Sequence, residues 1–252
     1  MSYPLRAPTR HPDLMRHTIF ALFAAFVSGC AVPAAQAGDA QPVVLVELFT
    51  SQGCSSCPPA DAMIAELAQR DDVLPLALHV DYWDYIGWAD GFARAQHTKR
   101  QKAYARMAHS TSIYTPQIVV EGTDQVIGVK PMKLADLIAT HRSELTPVAI
   151  DVEIDGDTIR VRCAAEAGRD LPTDINVDLV HFTETETVEI LHGENAGKTI
   201  SYANIVTGWD RVGSWNGDDA FTFSVELPQS GPLALVIQAA GPGEVLGAFR
   251  LR

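Results

Sequence analysis

The chain has 252 residues, 47% of them hydrophobic and 20% charged, with a formal net charge of −12. That length suits one large domain or two modest ones with a packed interior. The acidic balance argues against nucleic acid as the main partner, because phosphate binding needs clustered cations. The four cysteines, Cys30, Cys54, Cys57 and Cys163, are too few for a small disulfide-stapled scaffold.

Arg16 and His17 precede an apolar run from Ile19 to Val27 that is too short to span a bilayer as a stable helix. This pattern, starting at Met15, predicts an export signal, and residues 1–37 are expected to be a signal peptide. Two cleavage patterns compete. Val27-Ser28-Gly29-Cys30 resembles a bacterial lipobox, in which Cys30 would be lipidated, whereas Ala35-Gln36-Ala37 fits the small-residue rule of ordinary signal peptidase. Both place the mature protein in the periplasm or cell envelope, touching the membrane only through a lipid on Cys30. Residues 31–42, rich in Ala, Pro, Gln and Gly, read as a leader remnant or tether.

The run Val43 to Phe49 is almost continuously apolar, as expected of a strand buried on both faces. A polar turn, Thr50 to Ser56, leads to Pro58 and Pro59, which suit the first turn of a helix. Ala60, Met63, Ile64, Leu67 and Ala68 then recur at helical spacing. Val73 to Val80 predicts a second buried strand, completing a β-α-β unit. Residues 82–112 are expected to be helical, with Trp83, Trp88, Phe92, Tyr104 and Met107 as apolar elements. Ile118 to Val120 and Gln125 to Val129 predict a hairpin, and Pro131 opens a last helix.

Beyond Pro147 the period changes to two. Val148, Ile150, Val152 and Ile154 alternate with polar neighbours, Asp155-Gly156 signals a tight turn, and Ile159, Val161 and Cys163 continue one face. Further strand-like runs fall near 175–182, 199–206, 221–227, 233–239 and 245–251. Gly193 to Thr199 lacks the glycine spacing of a phosphate loop and reads as a turn between two strands.

The chemistry centres on Cys54-Ser55-Ser56-Cys57. Two intervening residues at the start of a helix let the sulfurs reach bonding distance. The helix N-terminus favours thiolate at Cys54, which would attack, while the less exposed Cys57 would resolve the mixed disulfide. A structural disulfide is the plainer alternative, but so short a loop constrains the unfolded chain little. Asp81, just after the second strand, is a candidate acceptor for the Cys57 proton. Trp83, with Tyr82 and Trp88, could line a substrate groove. The stretch Gly91 to Val120 holds no acidic residue and carries Arg94, Lys99, Arg100, Lys102 and Arg106, which could sit over the cysteines or form a solvated helix face. Cys163 reads as an inert buried thiol.

The segments Val46 to Asp61, His79 to Asp84 and Tyr114-Thr115-Pro116-Gln117, together with Gly193-Glu194-Asn195, resemble a family of exported bacterial proteins of unknown function with a thioredoxin-like fold. The resemblance runs from about residue 43 to the C-terminus. It implies a cis-proline at Thr115-Pro116 set against the cysteine pair, with Thr115 offering backbone groups to an extended substrate. The expected fold class is α/β: a thioredoxin-like domain over 38–146 with a helical insertion, followed by a small antiparallel β-sandwich domain over 147–252. The residues Gly53 before the pair and Ser-Ser within it differ from those of thioredoxin itself.

The resulting expectation is an exported thiol–disulfide oxidoreductase. Cys54 and Cys57 react, Thr115, Pro116 and Trp83 bind substrate, and no organic cofactor is needed. Its partners would be protein or small-molecule thiols and disulfides of the cell envelope. Two alternatives stand beside it: a copper-handling protein in which His79 or Met107 joins the cysteines, and a non-catalytic binding module.

Overall fold

The computed structural model describes residues 36–39, 41–144, 146–226 and 231–251. The expected leader, with its apolar run and Cys30, lies outside the described residues. Within the expected tether, Gln36–Asp39 is instead a strand, β1, paired antiparallel with β6 (Val148–Asp155).

Strands β2 (Val44–Thr50) and β3 (Val73–His79) are buried along their whole length and run parallel, joined through α1 (Pro58–Leu67). Strands β4 (Gln117–Val120) and β5 (Asp124–Ile127) follow as an antiparallel hairpin on the other side of β2, and α3 (Pro131–Ser143) closes this half. The stretch expected to be one helix over 82–112 divides. Residues 82–94 form a loop with a short 3-10 turn at Asp84–Ile86, and only Ala95–Met107 is helical, as α2. Gly87, with φ of 98°, ends the 3-10 turn in a left-handed conformation.

The chain after Pro147 corrects the expected fold class. β7 (Thr158–Ala165) pairs with β6 across the Asp155-Gly156 turn, and β10 (Phe221–Glu226) adds to it, giving a four-stranded sheet in the order β1-β6-β7-β10. The long strands β8 (Ile175–Glu189) and β9 (Thr199–Trp215), with β11 (Leu233–Ala239) and β12 (Val245–Arg250), instead extend the first sheet. The result is one mixed eight-stranded sheet in the order β12-β11-β8-β9-β3-β2-β4-β5. The described residues are mostly β, at 44% strand and 19% helix, so a thioredoxin-like fold with a helical insertion plus a separate β-sandwich does not describe them.

The join between the halves is the parallel contact of β3 with β9, in register at Ala77 and Ile205. Pro75 lies inside β3 and has no N–H for a ladder. Its carbonyl accepts a hydrogen bond from the Asn204 side chain at 2.8 Å, which ties β3 to β9 beside that register pair.

Alternation distributes the side chains. Val44, Val46 and Leu48 of β2 pack with Ala60 and Ile64 of α1 and Leu134 and Ile138 of α3, while Leu45 and Phe49 join Tyr104 of α2 in a second core. Leu233, Leu235 and Ile237 of β11 face Ile150, Val161 and Cys163 of the four-stranded sheet, and Ala234 and Val236 join the Tyr104 core. Cys163 is a free, buried thiol whose pKa burial pushes up to about 12, in keeping with an inert core residue.

Candidate functional site

The last residue of β2, Thr50, opens a tight turn that ends at the first turn of α1. Cys57 is the N-cap, Pro58 opens the helix, and the amides of Ala60 and Asp61 donate to the Cys57 carbonyl. Cys54 and Cys57 are joined by a disulfide, with Cα atoms 5.4 Å apart. The Ser56 hydroxyl lies 3.3 Å from Cys54 Sγ. Because Pro58 and Pro59 carry no N–H, the helix mouth offers its dipole but few donors.

Both cysteines are sealed, Cys54 at 1% and Cys57 at 0% exposure, although Ser55 and Ser56 between them face solvent. The expectation of a more accessible Cys54 is therefore corrected. Two segments close over the turn. From the loop after β3, Trp83 and Ile86 pack against Gly53 so closely that a Cβ there would meet them at 3.3 and 3.1 Å. Trp88 Nε1 donates to Gln52 Oε1. From the tip of the β8–β9 hairpin, Asn195 Nδ2 donates to the carbonyls of Gln52 and Cys54, and Glu194 Oε2 accepts from the Ser55 amide at 3.4 Å.

Thr115-Pro116 is a cis peptide bond. Thr115 Oγ1 accepts from Trp83 Nε1 at 2.8 Å, and Gln101 of α2 donates to the Tyr114 carbonyl. The structure thus ties Trp83 to Thr115, and both segments of that contact border the cysteine turn or the proline.

Behind the turn lies a group of buried polar side chains. Thr50 Oγ1 donates to Asp61 Oδ1 at 2.7 Å. His79, at the end of β3, is 2.7 Å through Nδ1 from Asp90 Oδ2, which also accepts from the Gln52 amide. Asp61 Oδ2 and His79 Nε2 are buried without a hydrogen-bond partner. Burial pushes the Asp61 carboxyl up to about 7, against the pull of His79 and the Thr50 hydroxyl. Burial would also raise Asp90, but its hydrogen bond and charge contact with His79 hold it below the usual carboxylate range.

Asp81 is placed differently. Its carboxylate accepts from Thr98 of α2 at 2.6 Å. Asp61 follows Cys57 by four residues on one helix, hence on the same face. The pattern of α1 concealed it, since it stands among apolar residues, and the i, i+4 spacing to a cysteine was the available signal. The cations of α2 divide as well. Lys99, Lys102 and Arg106 are exposed, but Arg100 is drawn inward to Glu47 of β2, with its guanidinium 3.8 Å from the Trp209 ring centroid. His79 is committed to Asp90 and Met107 is exposed, and among the described residues no group of three or more His, Cys, Asp or Glu is placed to hold a metal ion.

Over residues 45–238 the chain matches the model of a family described as a protein of unknown function, DUF1223, and it belongs to that family. Among solved structures it is similar to protein AGR_C_4864 from Agrobacterium tumefaciens, at 33% identity and a TM-score of 0.71, over 84% of this chain and 95% of that one. It also shares its fold with HBP35 of Porphyromonas gingivalis, at 14% identity and a TM-score of 0.60, over 84% of this chain and 76% of the other. Among curated proteins no match is found.

Proposed function

We propose that the protein is a thiol–disulfide oxidoreductase working through Cys54 and Cys57. The observation that carries this reading is the bonded pair at a helix mouth with a buried, readily protonated carboxyl, Asp61, one turn behind it. A substrate thiolate attacks Cys54 Sγ, the Cys54–Cys57 bond breaks, and a mixed disulfide forms. Cys57 departs as a thiolate and takes a proton from Asp61. A second substrate thiolate then attacks the mixed disulfide, leaving an oxidised substrate and a Cys54 thiolate. In the reverse direction Asp61 accepts the Cys57 proton, so that Cys57 can release the substrate. Thr115, beside the cis proline, and Trp83, bonded to it, would border the bound segment.

The pair is sealed, so exchange requires the covering segments to move. The chain is further proposed to be exported, with protein or small-molecule thiols of the cell envelope as partners. A disulfide in the resting protein suits an oxidising compartment.

The test is a redox titration of the purified protein against glutathione, followed by trapping. Cys54→Ser is expected to abolish exchange, and Cys57→Ser to accumulate a mixed disulfide detectable by mass. If neither cysteine of the native protein can be reduced and alkylated at any poise, the enzyme reading fails. Mass analysis of the mature N-terminus from fractionated cells distinguishes lipidation at Cys30 from cleavage after Ala37.

A further inference from the structure

The β8–β9 hairpin tip reaches back to the cysteine turn from the far half of the chain. Residues 191–199 are exposed, with one exception, Asn195, which is 1% exposed. A loop has no intrinsic reason to bury a single carboxamide, because burying polar groups is favourable only when their hydrogen bonds are made. Asn195 makes them. Nδ2 donates to Gln52 O at 2.8 Å and to Cys54 O at 2.9 Å, and Oδ1 accepts from Lys198 Nζ at 2.8 Å. The tip is shaped for this. Gly193 and Gly197 take φ of 80° and 81°, and the Gly197 amide returns to the Ile190 carbonyl at 2.7 Å.

The two carbonyls that Asn195 holds, those of Gln52 and of Cys54 itself, belong to the tight turn that carries the disulfide, in which the Cys54 amide donates to the Ser51 carbonyl at 3.1 Å. A carboxamide is a peptide group carried on a side chain. We propose that Asn195 is a built-in placeholder for backbone N–H groups of a polypeptide substrate, which displaces the tip and donates to the Gln52 and Cys54 carbonyls as it reaches the disulfide. This rests on the oxidoreductase reading and specifies its substrate class as protein rather than small thiol. The Trp88 ring is part of the same closure, lying 6.4 Å by centroid from His192 and packing beside Gly193. Displacing the tip therefore also frees one wall of the 82–92 loop.

Two variants separate the placeholder from a role in folding the tip. Asn195→Ala removes every bond. Asn195→Asp keeps an acceptor for Lys198 but can no longer donate to the two carbonyls, and it repels them. Each variant and the full-length native protein would be reduced with dithiothreitol, and Cys54 alkylation by iodoacetamide followed by mass spectrometry. Exchange would then be measured with a disulfide-bonded extended peptide and with oxidised glutathione.

Both variants are expected to alkylate about tenfold faster than native protein. Both should also lose discrimination between the peptide and glutathione, because glutathione no longer needs a chain to open the tip. Unchanged alkylation in Asn195→Asp, with thermal unfolding like that of the native protein, would overturn the placeholder. So would faster alkylation with the peptide-to-glutathione preference intact. Failure of all three proteins to exchange any disulfide, with alkylation still accelerated, would overturn the oxidoreductase reading and its substrate class, leaving Asn195 as a cover only.

Discussion

Asp90 gathers the Gln52 amide and His79 Nδ1 onto a single carboxylate oxygen, Oδ2, at 2.8 and 2.7 Å. The same side chain accepts the Phe92 amide through Oδ1. One carboxylate therefore fixes the entry to the cysteine turn, the end of β3 and the covering loop together.

Replacing Asp90 by Asn puts an amide donor against one of those donors. We expect Asp90→Asn to lose about 2–3 kcal/mol of stability at pH 7. The Asp90 carboxyl is held below its ordinary 3.8 in the folded protein, so its contribution is present above that value and is lost as pH falls through the lower folded one. The deficit of the variant should therefore shrink in acid. Thermal unfolding at pH 7 and pH 3 checks this, and an equal deficit at both would contradict it.

Asp61 titrates in the opposite sense. A carboxyl whose folded pKa is raised favours folding while it is protonated, a contribution intact below about 3.8 and lost as pH climbs through about 7. Asn has no proton to lose and can still accept from Thr50. Asp61→Asn should gain on the native protein as pH rises, by roughly 2–4 kcal/mol above pH 8. It should also release mixed disulfides about a hundredfold more slowly, because Cys57 loses its proton acceptor. Urea unfolding at pH 5 and 8.5 and single-turnover release kinetics read the two effects. A stability gap that does not widen with pH removes the case for a buried, protonated Asp61.

Arg100 links α2 to the sheet. It donates through Nε to Glu47 at 2.7 Å and through a terminal nitrogen to Tyr104 and Gln238, while Glu47 itself is 1% exposed. Arg100→Met strands a buried carboxylate and should cost about 3–5 kcal/mol. Replacing Glu47 by Leu in the same chain should restore most of that loss, since an apolar pair can fill the space. Chemical denaturation of both variants tests the account, and a double variant no better than the single one would refute it.

Much of the first half was legible because its signals are local. The unbroken apolar runs of β2 and β3, the prolines opening α1 and the alternation across Asp155-Gly156 each follow from a few adjacent residues. The cysteine pair was equally plain, whereas the cis bond at Thr115-Pro116 was implied only by the family resemblance. Apolar Trp83, Trp88 and Phe92 give 82–94 the look of a helix, but the structure holds it as a loop. The contrary signals were Gly87 and the carboxylates of Asp84 and Asp90, which accept backbone amides within the loop. The pairing of β3 with β9 left no local mark, as it joins residues on either side of Pro147 through a single register pair. Burial of Arg100 depended on Glu47, Gln238 and Trp209, three partners scattered across the chain.

The β3–β9 seam has a practical outcome for anyone dissecting this protein. A fragment ending near Pro147 would leave β3 as a raw border, its polar groups open to recruit a neighbouring molecule, and would strip away the hairpin that shelters the cysteines. Such a fragment should aggregate, and in any soluble remainder the reduced cysteines should be alkylated faster than in the intact chain.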